Sequence, residues 1–261
     1  MEETQQLEKV ISRNKIEIKY FIRFNVRQRI EHLVLTVTFI ALAVTGLAEK
    51  FYTSTWGDWL IIKFGGIAMT RLIHRSFGVL FVLTIVYHFA YLIYDLGILK
   101  NPATMMPSMK DIKNIFESLR YTFGLADTHV QYGRYDYRQK FEYWGIVFGG
   151  LIMAFTGLIL MYPILFTTFF PGEFVAAART AHGNEALLAV LTIIIWHLYD
   201  TILKPDIFPL DKTIFSGKIS QKRLEEEHAI EYHQLKKKEE AAKRPMLVQE
   251  PPQGDSALPE K

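Results

Sequence analysis

The sequence predicts an all-α integral membrane protein built as a four-transmembrane-helix bundle. Half of the 261 residues are hydrophobic, and they fall into four blocks along the chain. Helices of a soluble protein would instead show a narrow apolar stripe on one face. With their flanking turns, all four blocks reach the roughly 17–25 residues that cross a bilayer. The chain has no cysteine, which excludes disulfides, cysteine-bound zinc, iron–sulfur clusters and covalently attached haem.

The four predicted helices lie within residues 30–205. They cover about residues 30–48, 74–96, 143–165 and 180–203. Before them, residues 1–29 are expected to form a cytoplasmic segment. After them, residues 206–261 are expected to form a charged cytoplasmic tail whose end is disordered. No internal repeat is expected.

Two connecting segments are also expected to be ordered. Between the first two spans, residues 56–72 are partly apolar and are predicted to be re-entrant or to lie on the membrane surface. Between the second and third spans, residues 111–125 are predicted to form an amphipathic helix.

The distribution of lysine and arginine predicts the orientation. Of the 30 such residues, 25 lie in the N-terminal segment, the loop between the second and third spans, and the tail. Cytoplasmic loops carry the excess of positive charge in membrane proteins. Both termini are therefore expected to be cytoplasmic, and the two shorter loops to face outward.

Histidines at the ends of the spans are the candidate functional residues, since ionisable groups in a membrane are costly and mark functional sites. His74 and His88 are fourteen residues apart on the second helix, and His182 and His197 are fifteen apart on the fourth. Each pair is thus separated by about 21–22 Å along its helix. His74 and His182 share an outer depth, and His88 and His197 share an inner depth.

Imidazoles at two matched depths predict two haems b, each held by two histidines across the bundle. His74 and His182 are expected to ligate the iron of the outer haem. His197 is expected to ligate the inner haem iron together with either His88 or His32, which starts the first helix at the inner depth. Geometry alone slightly favours His88. The remaining histidines, His129, His228 and His233, are expected to be surface residues.

Several short motifs, by their order and spacing along the chain, resemble the membrane-bound cytochrome b (gamma) subunits of formate dehydrogenases, thiosulfate reductases and Ni-Fe hydrogenases. They are Arg29-Ile30-Glu31-His32 and Thr45-Gly46 on the first helix, Ile73-His74-Arg75 with Gly78 on the second, Gly133-Arg134-Tyr135-Asp136 with Gln139-Lys140 and Trp144 before and on the third, and His182 and His197-Leu198-Tyr199 on the fourth. Leu33 stands where the family has tryptophan. His88 is additional, and the fourteen and fifteen spacings also resemble the bc and b6 cytochromes.

The resemblance implies a dihaem subunit of a respiratory complex in the bacterial cytoplasmic membrane. Its electrons would pass between an extracytoplasmic iron–sulfur or multihaem cytochrome c subunit and membrane quinone. In that family the inner haem uses the positions matching His32 and His197, and the quinone site includes the position matching Asp136. A carboxylate there could exchange the quinone proton. No nucleic-acid partner is expected.

The alternative to a dihaem electron-transfer subunit is a haem-free transporter or scaffold subunit.

Overall fold

The computed structural model describes residues 19–247, with side chains up to residue 242. Most of the N-terminal segment and the end of the tail, which is expected to be disordered, lie outside these residues. Within them the elements run β1 (Tyr20–Ile22), α1 (Val26–Lys50), α2 (Thr55–Lys63), α3 (Ile67–Gly97), α4 (Met109–Thr122), α5 (Tyr137–Met161), α6 (Pro163–Thr167), α7 (Glu173–Thr192), α8 (Thr213–Ser216), β2 (Lys218–Ser220), α9 (Gln221–Glu227) and α10 (Ala229–Leu247).

Four helices are long and apolar enough to cross a membrane, which confirms the predicted fold class. They are α1, α3, α5, and α7 with the two helical turns that continue it to Leu203. Their lengths of 25 to 31 residues correspond to about 37–46 Å, against a hydrocarbon core of about 30 Å. The ends of these helices therefore extend beyond that core.

The helix ends differ from the sequence expectation where capping or proline decides them. Asn25 caps α1 by accepting a hydrogen bond from Gln28 N–H at 2.9 Å, and the Gln28 side chain accepts one from Asn25 N–H at 3.0 Å. This capping box starts the helix before the apolar block. At the other end of the bundle, α5 stops at Met161 because Pro163 lacks the N–H that would continue it.

The segment predicted to be re-entrant or to lie on the membrane surface forms the short helix α2 and the first turns of α3. Ser54 caps α2 by accepting a hydrogen bond from Gly57 N–H at 3.2 Å. The chain then reverses through Gly65 and Gly66, whose φ angles of 92° and 95° suit only glycine. The second spanning helix consequently begins at Ile67.

The interior of the bundle is lined mainly by small and hydroxyl-bearing residues, and most of the large apolar residues other than Ile159 are partly or largely exposed. Fully or almost fully buried positions on the spanning helices include Thr38, Thr45, Ala48, Thr70, Thr156 and Ala178. Leu83 and Ile195 are among the large side chains that are more than half exposed. Such an arrangement is expected of a bundle whose solvent is lipid.

The described chain divides into two compact units. The larger comprises residues 22–113 and 137–218, and so contains the four spanning helices. The smaller combines residues 19–21, the loop 114–136 and the tail over residues 219–247. Its core is formed by Ile219, Leu224 and Tyr232, against which Phe21 and Leu235 pack. Strands β1 and β2 pair as a two-stranded sheet.

An ion pair fixes the first turn of α4 to the start of α5. Lys140 Nζ lies 2.9 Å from Asp111 Oδ2, and both side chains are about 14% exposed. Burial favours a higher pKa for Asp111, but hydrogen bonds from Lys140 and from Ser108 outweigh it and hold that pKa below the usual range.

We expect Asp111→Asn to loosen the first turn of α4, since a hydrogen bond to a charged partner is worth about 1.5–3 kcal/mol. The lowered pKa means that the stabilisation is present at neutral pH and is lost as the pH falls through the folded-state value. Hydrogen exchange of residues 109–113 should speed up about tenfold or more at pH 7. Lys110→Ala, on the same turn, is the control; equal exchange in both variants would contradict this role for the ion pair.

Candidate functional site

The outer pair of predicted site residues comes together across the bundle. His74 on α3 and His182 on α7 face each other with ring centroids 6.3 Å apart and an angle of 76° between the ring planes. Both rings point inward, toward helices that carry their hydrogen-bond partners.

A threonine from a neighbouring helix orients each outer imidazole. Nδ1 of His74 lies 2.9 Å from Oγ1 of Thr45 on α1, and Nδ1 of His182 lies 2.9 Å from Oγ1 of Thr156 on α5. Both hydroxyls donate their own hydrogen to a carbonyl four residues back, at 2.6 Å. The hydroxyl oxygens therefore accept from Nδ1–H, which leaves the lone pair on Nε2 of each ring for a metal.

A glycine beside each of these threonines gives the outer rings their space. A methyl group at Gly46 would lie 3.0 Å from Cε1 of His74, and one at Gly157 would lie 3.3 Å from Cε1 of His182. The Thr-Gly pairs on α1 and α5 therefore serve the same two purposes, a hydrogen bond and a close approach.

The inner pair consists of His32 on α1 and His197 on α7. Their ring centroids are 6.2 Å apart and their planes make an angle of 33°. Nδ1–H of His197 donates to Oε1 of Glu142 on α5 at 2.6 Å. Nδ1 of His32 has a longer contact of 3.4 Å with Oγ1 of Thr36. Within the described residues no protein group hydrogen-bonds Nε2 of either ring.

His88 has different partners from those that the geometric argument favoured. Its Nδ1 forms a short hydrogen bond with Glu31, and its Nε2 lies 2.8 Å from the hydroxyl of Tyr143. Because both ring nitrogens are engaged, His88 offers no lone pair to a metal. The ring that lies against His197 is that of His32. Helical rotation alone could not reveal this, because the choice depends on contacts with α1 and α5.

A local change in helix type accounts for the unequal histidine spacing. The last turns of the fourth span are π-helical, over Ile193–His197 and Tyr199–Leu203, and Leu198 N–H bonds to the carbonyl of Ile193 five residues back. A π turn absorbs one extra residue. His197 thereby keeps the helix face that a spacing of fourteen would give it, although it lies fifteen residues after His182.

The two imidazole pairs fit six-coordinate haem iron. An iron bonded to both Nε2 atoms at about 2 Å, with each ring centroid about 1.1 Å further out, separates the centroids by about 6.2 Å. The observed separations of 6.2 and 6.3 Å agree with this value. Near His32, Nε of Arg27 and Nε of Arg29 are buried without a partner among the described residues; these donors suit anionic groups such as haem propionates.

The chain also contains an internal repeat, contrary to the sequence expectation. Six residues in or just before the first span have identical counterparts 111 positions later, in or just before the third. The first set is Arg23, Arg27, Gln28, Glu31, Thr45 and Gly46, and the second, in the same order, is Arg134, Arg138, Gln139, Glu142, Thr156 and Gly157. The bonds repeat as well, since Glu31 contacts His88 as Glu142 contacts His197. Aligning the chain with itself would have revealed the repeat.

Asp136, the predicted quinone residue, belongs to the smaller unit and is only 6% exposed. The loop before it is held by the tail. Nδ1 of His228 bonds to the carbonyl of Gly133 at 2.8 Å, and Arg134 pairs with Glu231 at 2.7 Å. His228 is 3% exposed, so its expected surface position was wrong. Sequence analysis missed the tail as a support for this loop.

Arg134 remains charged in this setting. Burial favours a lower pKa for its guanidinium, but the neighbouring Tyr135 and Glu231 outweigh burial and raise the pKa above the ordinary value. The Arg134–Glu231 pair is therefore an ionic contact between the loop and α10.

Comparisons with known proteins find similarity to prokaryotic cytochromes b. The family model described as prokaryotic cytochrome b561 matches residues 23–212. The nitrate-inducible formate dehydrogenase cytochrome b556(Fdn) subunit of Escherichia coli K12 is 24% identical over 222 residues, which cover 85% of this chain and 94% of that protein. The formate dehydrogenase cytochrome b556(fdo) subunit of the same strain is 26% identical over 182 residues, 68% of this chain and 77% of that protein.

We expect Glu231→Ala to release the loop that precedes Asp136. Removing one partner of a charged hydrogen bond costs about 1–3 kcal/mol. Hydrogen exchange of residues 130–136 should therefore accelerate about tenfold or more. Glu225→Ala removes an exposed carboxylate from the same tail and should leave exchange unchanged. Unchanged exchange in Glu231→Ala would show that the tail does not hold the loop.

Proposed function

The chain belongs to the prokaryotic cytochrome b561 family, and we propose that it is the dihaem cytochrome b subunit of a respiratory complex, passing electrons between an extracytoplasmic partner and membrane quinone. The family membership supports a cytochrome b subunit that spans the bacterial cytoplasmic membrane. The observation that carries the dihaem proposal is the presence of two imidazole pairs, whose Nε2 atoms have no hydrogen-bond partner among the described residues and whose ring centroids have the separation that one iron requires.

His74 and His182 would hold the outer haem, and His32 and His197 the inner one. A bound haem supplies a one-electron couple between Fe(III) and Fe(II). The chain's own contribution is to orient the ligands. Thr45, Thr156 and Glu142 fix the Nδ1–H tautomers, and Gly46 and Gly157 leave room beside the outer rings.

The charge distribution supports an orientation of the protein in the membrane. With the lysine-rich and arginine-rich segments in the cytoplasm, both termini are cytoplasmic. The pair His74 and His182 then lies near the outer face, and the pair His32 and His197 lies near the inner face. An extracytoplasmic iron–sulfur or multihaem cytochrome c subunit would then exchange electrons with the outer haem. The relatives named as formate dehydrogenase subunits make such a partner the natural proposal.

Quinone would react on the cytoplasmic side. Its reduction to quinol takes up two electrons and two protons, so electrons delivered across the membrane would be matched by protons from the cytoplasm. We propose that Asp136, buried directly before α5, transfers one of these protons, because a positioned carboxylate can act as general acid or base.

The haem assignment predicts a distinct result for each histidine variant. The wild-type protein purified in detergent should contain two haems b per chain by pyridine haemochrome assay. His32→Ala and His197→Ala should each retain one haem, because a lost ligand cannot be replaced by His88, whose two nitrogens are engaged. His88→Ala should retain two.

Loss of a haem from His88→Ala with two retained in His32→Ala would reverse the inner assignment. A folded, haem-supplied protein without haem would reject the cytochrome proposal in favour of a transporter or scaffold.

The quinone proposal predicts slow quinol oxidation in Asp136→Asn. Reduction of the haems by a water-soluble quinol should fall about 100-fold, the usual scale for loss of a general base. Haem content should be unchanged. Asp127→Asn, an exposed position in the same loop, is the matched control. Equal rates for both variants would exclude Asp136 from proton transfer.

A further inference from the structure

We propose that Glu142 makes the inner haem the one with the lower reduction potential. This inference rests on the proposed function, because it concerns the haem held by His32 and His197. It goes further by assigning a positioning residue that acts through His197 and separates the properties of the two haems. Its basis is the chemical difference between the acceptors that hold Nδ1 at the two sites.

At the inner site the acceptor is a carboxylate. Oε1 of Glu142 lies 2.6 Å from Nδ1 of His197, and the glutamate side chain is only 15% exposed. A short, charge-assisted hydrogen bond in a poorly solvated place is strong. It draws the Nδ1 proton toward the oxygen and increases the electron density that Nε2 can give to a metal. A more basic ligand stabilises Fe(III) relative to Fe(II) and lowers the potential.

At the outer site both acceptors are neutral hydroxyls. The two Nδ1 to Oγ1 distances are 2.9 Å, longer than the contact with Glu142. Each hydroxyl also donates to a backbone carbonyl. A neutral oxygen draws less on the Nδ1 proton than a carboxylate does. His74 and His182 are therefore weaker electron donors than His197.

The internal repeat supplies a second glutamate with the same local chemistry but no ligand to act on. Glu31 hydrogen-bonds Nδ1 of His88, whose Nε2 lies 2.8 Å from the Tyr143 hydroxyl. Glu31 also forms an ion pair with Arg27 on the preceding turn, which balances its charge. The two glutamates differ in this ion pair and in whether Nε2 of their histidine is occupied, and Glu31 serves as the control for Glu142 because its histidine is not a proposed haem ligand.

A lower potential would make the inner haem the stronger reductant of the two. An electron that reaches it would pass readily to an acceptor on the same side of the membrane, where the proposed function places quinone. The carboxylate would thus favour transfer from the inner haem to quinone.

The test is a spectroelectrochemical titration of the purified holoprotein, which should show two one-electron waves. Glu142→Gln keeps an oxygen acceptor but removes its charge. The lower wave should move to a higher potential, with at least a tenfold rise in the Fe(II)/Fe(III) ratio at fixed ambient potential, or about 59 mV for one electron. The upper wave should stay in place. If Glu142→Gln does not assemble, Glu142→Thr replaces it as the test variant. It introduces a hydroxyl like those of the outer site and should give the same shift.

The control variant Glu31→Gln should change either ratio less than twofold, and Thr45→Val should move only the upper wave. Two haems with no shift in the Glu142 variants would overturn this inference while leaving the proposed function intact, and so would equal shifts of both waves. An equal shift in Glu31→Gln would also overturn it, since the effect would not pass through His197. A wild-type protein without haem would instead reject the proposed function itself.

Discussion

Hydrogen bonds on Nδ1 of the paired imidazoles are the interactions on which the rest of the bundle depends. Three of the four come from a neighbouring helix, through Thr45, Thr156 and Glu142. They couple the rotation of α3 and α7 to the packing of α1 and α5. An imidazole held at Nδ1 has one orientation and one free lone pair, and both are needed for iron to be bound between two rings.

The packing of the bundle is consistent with the proposed haems, which would leave little interior for large side chains. Apart from Ile159, the buried positions on the spanning helices carry threonine and alanine, and glycines lie against the outer imidazoles. Threonine suits this interior because its hydroxyl is satisfied by a carbonyl of its own helix and can still accept a second hydrogen bond. Most leucines and isoleucines face outward, where lipid replaces the protein core as the apolar environment.

The internal repeat explains why the two depths resemble each other and where they differ. Both halves provide a glutamate, a threonine and a glycine at the same spacing. One exchange breaks the symmetry, because His32 in the first half corresponds to Tyr143 in the second. His32 lies against His197, whereas Tyr143 hydrogen-bonds His88. This difference leaves His197 facing a second imidazole, whereas His88 is hydrogen-bonded at both nitrogens.

The sequence by itself determined the four spans, because hydropathy acts along one stretch of the chain at a time. It also predicts the pairing of His74 with His182, which helical rise puts at a common depth, and these two rings face each other. The inner pair was decided by tertiary structure. Helical rotation favours His88, but contacts with Glu31 and Tyr143 occupy both of its nitrogens, and the ring that lies against His197, at the end of a π turn, is that of His32. Hydrogen bonds between helices and a change in helical pitch are three-dimensional properties, so residue spacing could not reveal them.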